Sequence, residues 1–374
     1  VKLMSFIVAA GIVLYLGSGP QMKNKSKGSQ DVVVAASVSA VNASSSVSKA
    51  VSPRSLDRDL FRGMTMQISY TASGIEPYLK QIDEIADLGA NTVGISAAGY
   101  QEHAGSSGIM IDVRKCPTPE QFSKLIKRAK DRGMKVVLMP VLLMSNPRGT
   151  EWRGVIQPPD WDEWFSSYLE FIKYFAKIGL DNDAEALVVG AELVSTESFR
   201  SRWIKVINEV RRIYHGKLLY SANWDHYRQV SFWDKLDMIG MTTYHKLADT
   251  ENPSVDVLLA SWAKIKKDIL GWQRKIGKPI LFTEVGWCSQ PGASIEAWNY
   301  YRHQESSEKG LEEQKRCYEA FIQTWRDEKA MAGAMWWEWT VDGSGPKDYM
   351  YTPKGKPAEQ VLRAWYNEGK TVGK

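Results

Sequence analysis

Residues 280–287 read "ILFTEVGW". Ile280, Leu281, Phe282 and Val285 suit a strand buried on both faces, and packing alone gives such a strand no use for Glu284. Even a neutral polar group buried without partners costs about 2–7 kcal/mol, so a carboxylate held there needs a reason. A strand end supplies one, because a stiff sheet aims a side chain at a fixed point better than a loop does.

Seven further apolar runs share this character: "RGMTMQIS" (62–69), "ANTVGIS" (90–96), "KVVLMPVLL" (135–143), "EALVVGAEL" (185–193), "KLLYSANW" (217–224), "LDMIGMTTY" (236–244) and "AGAMWWEW" (332–339). Helical spacing falls between them. Ile75, Tyr78, Leu79, Ile82, Ile85 and Ala86 recur at one-turn intervals, the signature of an amphipathic helix. "TPEQ" (118–121) predicts a helix start with Thr118 as cap, Pro119 in the first turn and Gln121 bonding back, and Gly133 predicts its end. Later helices are expected over 160–178, 198–214, 255–276, 311–329 and 357–366.

An open doubly wound sheet also alternates strands and helices. Eight units in about 300 residues, with no glycine-rich phosphate loop after the first strand, favour a closed (β/α)8 TIM barrel of the α/β class. The predicted organisation is an export signal or membrane anchor at 1–20, a Ser/Ala-rich spacer at 21–54 and one barrel domain at 55–374. Within the first segment, Lys2 precedes an apolar stretch from Leu3 to Leu16 and then Gly17, Ser18 and Gly19. That is the layout of a secretory signal, somewhat short for a span of about 20 residues. The expected location is therefore secreted or periplasmic, with an N-terminal membrane tether as the alternative. The spacer lacks aromatic residues and offers little apolar surface to offset its ordering entropy.

Composition narrows the chemistry. The 374 residues carry a net charge of +5 spread among interleaved acids and bases, with no basic run fitted to a phosphate backbone, so nucleic acid is not an expected partner. Three cysteines (116, 288, 317) are too few and too scattered for a disulfide framework. Five histidines (103, 215, 226, 245, 303) show no close ligand spacing, so neither a protein-bound metal nor another cofactor is expected. The domain is expected to act as a monomer.

In a barrel of this kind, reactive groups sit where strands end, at the C-terminal face. The fourth run ends in Glu192 and the seventh in Glu284, so the two carboxylates would meet across one mouth. Glycosidic bond cleavage needs such a pair. One carboxyl donates a proton to the leaving oxygen, and the other attacks the anomeric carbon or activates water.

Glutamates ending the fourth and seventh strands resemble the arrangement of clan A retaining glycoside hydrolases. Within that clan the chain is most similar to glycoside hydrolase family 113, the barrel β-mannanases. The motifs that carry the resemblance are "RGMTM", "VVGAELVS", "FTEVGW", "MWWEW" and "YTPKGKPAEQVL", over residues 61–366. The resemblance implies Glu192 as acid/base and Glu284 as nucleophile, with their carboxyl groups about 5–5.5 Å apart. It further implies that Tyr244 hydrogen-bonds the nucleophile and that Trp337 is the platform under the sugar being cleaved. One position departs from the pattern: most of the clan places Asn before the acid/base, where it contacts the sugar 2-hydroxyl, and this chain has Ala191. Losing that donor is compatible with the axial 2-hydroxyl of mannose without demanding it.

Other strand ends supply supporting residues. Asn223, Trp224 and Trp287 are expected sugar contacts, with Tyr70 and Asn146 further candidates. Gln67 and His245 are further candidates, His226 is read as a loop histidine with a backbone partner, Trp336 and Trp339 as site or core, and Arg148 or Arg153 as a cation near Glu284. The loop from Ala97 to Pro117 is long enough to wall the cleft. The expected activity is retaining hydrolysis of a β-linked polysaccharide or oligosaccharide, β-1,4-mannan foremost and endo-acting. The alternatives are the same chemistry on β-glucan or β-galactan, or a carbohydrate-binding barrel without turnover.

Overall fold

The computed structural model describes residues 59–368. The predicted signal and spacer segments lie outside the described residues. Nine strands form the sheet: β1 (Phe61–Ile68), β2 (Thr92–Gln101), β3 (Ile109–Met110), β4 (Lys135–Met144), β5 (Ala186–Ala191), β6 (Lys217–Ala222), β7 (Met238–Thr242), β8 (Ile280–Val285) and β9 (Met331–Trp336). All except the two-residue β3 pair in parallel, and β1 pairs with both β2 and β9 to close an eight-stranded barrel. The helices are α1 (Glu76–Leu88), α2 (Pro119–Asp131), α3 (Trp161–Asp181), α4 (Arg200–Ile213), α5 (Val255–Ile276), α6 (Glu308–Trp325) and α7 (Pro357–Asn367). The fold is the single-domain (β/α)8 barrel expected from the sequence.

Local sequence accounts for the elements. Helix α2 begins with a full capping box, in which Thr118 Oγ1 accepts from the Gln121 amide and Gln121 accepts from the Thr118 amide. Past its end, Gly133 adopts φ +73°, a left-handed value that glycine takes without steric cost.

Two expectations need correction. Residues 97–101 are not loop: β2 continues to Gln101 and turns back through β3. Gln101 anchors this excursion, accepting from the Trp164 indole at 2.9 Å and donating to the His103 carbonyl at 2.7 Å. The second correction concerns the eight strand–helix units, because no α-helix joins β6 to β7. Aromatic side chains fill that layer instead, with Phe232 stacked 4.9 Å from Trp203 and Trp233 lying 6.0 Å from Trp272.

The core has two parts. Inside the barrel, Val137, Met139, Val188, Leu219, Leu281 and Met335 pack together. Their bulk is accommodated by small neighbours: a Cβ on Gly63 would lie 2.3 Å from the Met335 sulfur. The larger cluster lies between barrel and helices and holds most of the buried tryptophans.

Candidate active site

The two strands that carry the carboxylates each contain one extra residue relative to their neighbours. On β5, Val188 pairs with Leu219 but Ala191 pairs with Ser221. On β8, Phe282 pairs with Met241 but Glu284 pairs with Thr242. Such bulges re-aim side chains at barrel rims. Leu281 lies in the barrel interior, Phe282 in the outer layer, and Thr283 bonds Ser221 at 2.6 Å. Strict alternation would send Glu284 outward with Phe282. The bulge instead turns it toward the mouth, where Tyr244 donates to its Oε2 at 2.8 Å. Glu192 follows β5 with φ +53°, a left-handed conformation that costs a non-glycine residue roughly 1–2 kcal/mol.

Both carboxylates are buried, Glu192 at 0 % and Glu284 at 3 % exposure. Arg153, itself 7 % exposed, donates to Glu192 Oε2 at 2.6 Å. The Thr242 hydroxyl accepts from the Trp224 amide at 3.1 Å and lies close enough to Glu192 to favour its charged form. Arg153 sits in a short turn of the loop after β4. Glu151 ties down that loop by accepting from the Ala104 and Arg148 amides, and Trp152 covers Gly154 so closely that a Cβ there would meet its ring at 2.2 Å.

Burial pushes the Glu284 carboxyl up to about 8, helped by the negative charge of Glu192 and opposed by Arg153 and Tyr244. Burial also raises Glu192, against the pull of Arg153 and Thr242. Two more acids lie close enough to be felt. Glu197, raised to about 8 by burial, accepts from Tyr220 at 2.9 Å; Glu338, raised to about 7, acts on Glu284. Three buried polar atoms at the mouth, Glu192 Oε1, Arg153 Nε and Asn223 Oδ1, have no hydrogen-bond partner among the described residues. The arrangement can donate a proton, expose a carboxylate and bind neutral polar groups.

The structure brings Glu284 together with Tyr244 and within electrostatic reach of Glu192, sets the Trp224 amide against Thr242, and places Asn223 and Trp337 directly after β6 and β9. It separates the others. Trp287 packs against Trp262, Tyr318 and Phe321 of α5 and α6, so its ring belongs to the helix layer and not to the mouth. Trp336 stacks 4.2 Å from Tyr318, and the Trp339 indole donates to Glu84 of α1 at 2.8 Å. Tyr70 is 54 % exposed on the rim, its backbone held by the Tyr78 hydroxyl. Asn146 is exposed in the loop after β4, and Arg148 is exposed and paired with Glu151 at 2.9 Å, leaving Arg153 as the cation of the site. His245 lies between Trp224 and Trp262, and burial lowers it to about 4. His226 pairs with Asp225 at 2.7 Å, and Gln67 is half-buried on β1. The three cysteines are buried and unpaired.

Thr242, Glu197 and Glu338 are not among the residues expected from the sequence. Thr242 and Glu338 lie within quoted strand-end motifs; a mixed run of polar residues ending a buried strand was the available signal. Glu197 lies beyond its strand in a turn and gave none.

The sequence pattern of Glycoside Hydrolase Family 113 matches residues 69–356. Among solved structures, a GH113 β-1,4-mannanase superposes with a TM-score of 0.73 at 26 % identity, covering 82 % of this chain and 99 % of that one. The GH113 β-mannanase AaManA from Alicyclobacillus acidocaldarius, in complex with ManMIm, gives 0.73 at 27 %, with 83 % and 98 % covered. A β-glucuronidase from Ruminococcus gnavus shares the fold alone, at 0.54 and 12 % identity over 82 % of this chain and 49 % of that one. No curated protein sequence matches the chain. With more than three quarters of its length matched by the family pattern, and the same barrel as its mannanases, the chain belongs to glycoside hydrolase family 113.

Proposed function

We propose that this glycoside hydrolase cleaves β-1,4-linked mannan by a retaining, two-step mechanism. The observation that carries the reading is the coupled pair of buried carboxylates ending β5 and β8, one held by Arg153 and the other by Tyr244. The substrate rests on the likeness to solved GH113 β-1,4-mannanases.

In the first step Glu284, ionised, attacks the anomeric carbon. The glycosidic carbon–oxygen bond breaks, its electron pair passes to the leaving oxygen, and Glu192 supplies the proton. In the second step Glu192 takes a proton from water, whose oxygen displaces the Glu284 carboxylate and restores the original configuration. Arg153 orients Glu192, and Tyr244 stabilises the anionic form of Glu284.

Reducing-sugar release from mannan, glucomannan, mixed-linkage glucan and galactan tests the reading. Turnover of the two mannans above the other polymers is expected. Preference for glucan or galactan would reassign the substrate; sugar binding with no release from any polymer would leave a binding barrel.

Tyr244→Phe tests the mechanism. A hydrogen bond to a charged group contributes about 1.5–3 kcal/mol, so kcat/KM should fall roughly 10- to 100-fold. The acid limb of the pH profile should move upward, because the ionised form of Glu284 has lost a donor. An unmoved acid limb would remove Tyr244 from that role.

Export belongs to the same reading, supported by the apolar stretch from Leu3 to Leu16 and by a substrate too large to cross a membrane. Among the described residues no helix is long and apolar enough to span one. Recovery of the protein solely from the cytosol would reject export.

A further inference from the structure

We infer that Glu338 is a substrate-binding residue, whose carboxylate accepts hydroxyl donors from the sugar ring at Trp337 and so helps to select the sugar. The inference rests on the proposed function only in taking the barrel mouth as the sugar site.

The backbone around Glu338 is pinned on both sides. The Trp337 amide donates to the Val285 carbonyl at 2.8 Å and the Trp339 amide to the Thr65 carbonyl at 2.8 Å. Gln81 then holds the Trp339 carbonyl at 2.7 Å. Glu338 is thus fixed between the end of β8 and the middle of β1, within electrostatic reach of Glu284. Two neighbouring tryptophans, Trp336 and Trp339, are committed to the helix layer.

Among the described residues the Glu338 carboxylate has no hydrogen-bond or ion-pair partner, although it is only partly exposed. The charges that act on it and beside it, Asp348 and Glu284, are acidic. The nearby Lys356 is already bound to Asp348 at 2.7 Å, to Ser289 and to the Met350 carbonyl. A carboxylate held rigidly without a cation is costly unless donors reach it. Hydroxyl donors of a sugar suit this position, because they would satisfy oxygens that no side chain among the described residues reaches. Two adjacent hydroxyls of a pyranose fit the two oxygens of one carboxylate.

The test is calorimetric binding to the full chain carrying Glu284→Gln, with and without Glu338→Ala. The ligands are mannotriose and its mono-deoxy analogues at the reacting ring. In the Glu284→Gln protein, removing one or two adjacent hydroxyls should weaken binding about 10- to 100-fold. In the double variant the same removals should change it less than about 3-fold. Glu338→Gln, isosteric with the native residue, replaces one acceptor by a donor and should show an intermediate loss, which guards against a folding defect in the alanine variant. A uniform loss across all ligands, or no loss at all, overturns the inference. Wild-type turnover of mannan is measured alongside. Its absence with the hydroxyl pattern intact would reject the hydrolase reading alone, and absence of sugar binding in the Glu284→Gln parent would reject both.

Discussion

Glu284→Gln is expected to abolish hydrolysis and to make the protein more stable. Loss of a nucleophile should lower kcat by about 10⁴-fold or more, since what survives is only binding and the proton donor. The stability gain follows from the same burial. In the unfolded chain this carboxyl titrates near 4.3, whereas in the fold burial and Glu192 hold it at about 8. A raised carboxyl binds its proton more tightly in the folded state. The resulting stabilisation is complete below the unfolded value and is lost as pH climbs through the folded one. Glutamine does not titrate, keeps the shape and still accepts from Tyr244. The variant should therefore melt several degrees above wild type at pH 8, a difference on the order of 1–3 kcal/mol, and close to wild type at pH 4. Thermal melts at the two pH values decide the matter. Equal melting temperatures at pH 8 would mean that the buried charge is relieved in some way the structure does not contain.

Glu192→Ala should behave in the opposite sense on stability and selectively on activity. Arg153 would remain buried with its carboxylate partner gone, and breaking a buried pair from one side costs about 3–5 kcal/mol. Hydrolysis of mannan should fall about 10²- to 10⁴-fold, the usual contribution of a positioned acid. A substrate whose leaving group needs no proton, such as a dinitrophenyl β-mannobioside, should still form the glycosyl-enzyme at nearly the wild-type rate and then stall. Added azide should restore turnover and yield a β-configured glycosyl azide. Equal losses on both substrates, with no azide effect, would take the acid/base role away from Glu192. Opposite stability changes from two glutamates in one mouth would reflect a single asymmetry: Arg153 is bonded to Glu192, whereas the Glu284 carboxylate is bonded by the neutral Tyr244.

The barrel and the meeting of Glu192 with Glu284 were legible in the chain itself. Each depends on local pattern: apolar runs of strand length, helical spacing between them, and a carboxylate at the end of a run, which topology carries to one face of the barrel. The direction of each side chain was not legible. Period-two reading assigns faces only while a strand is regular, and the extra residue in β8 reverses the face just where Glu284 stands. The tryptophans show the same limit. From sequence Trp287 reads as a sugar contact and Trp336 as site or core, and only contacts with α5 and α6, distant in sequence, commit both to the helix layer. Arg148 and Arg153 are likewise indistinguishable until a loop fold sends the first to Glu151 and the second to Glu192. Sequence alone thus determined which residues end the strands, because that is a matter of near neighbours. Which of those residues face one another was decided by bulges, turns and packing between distant segments, and only the closed barrel holds those together.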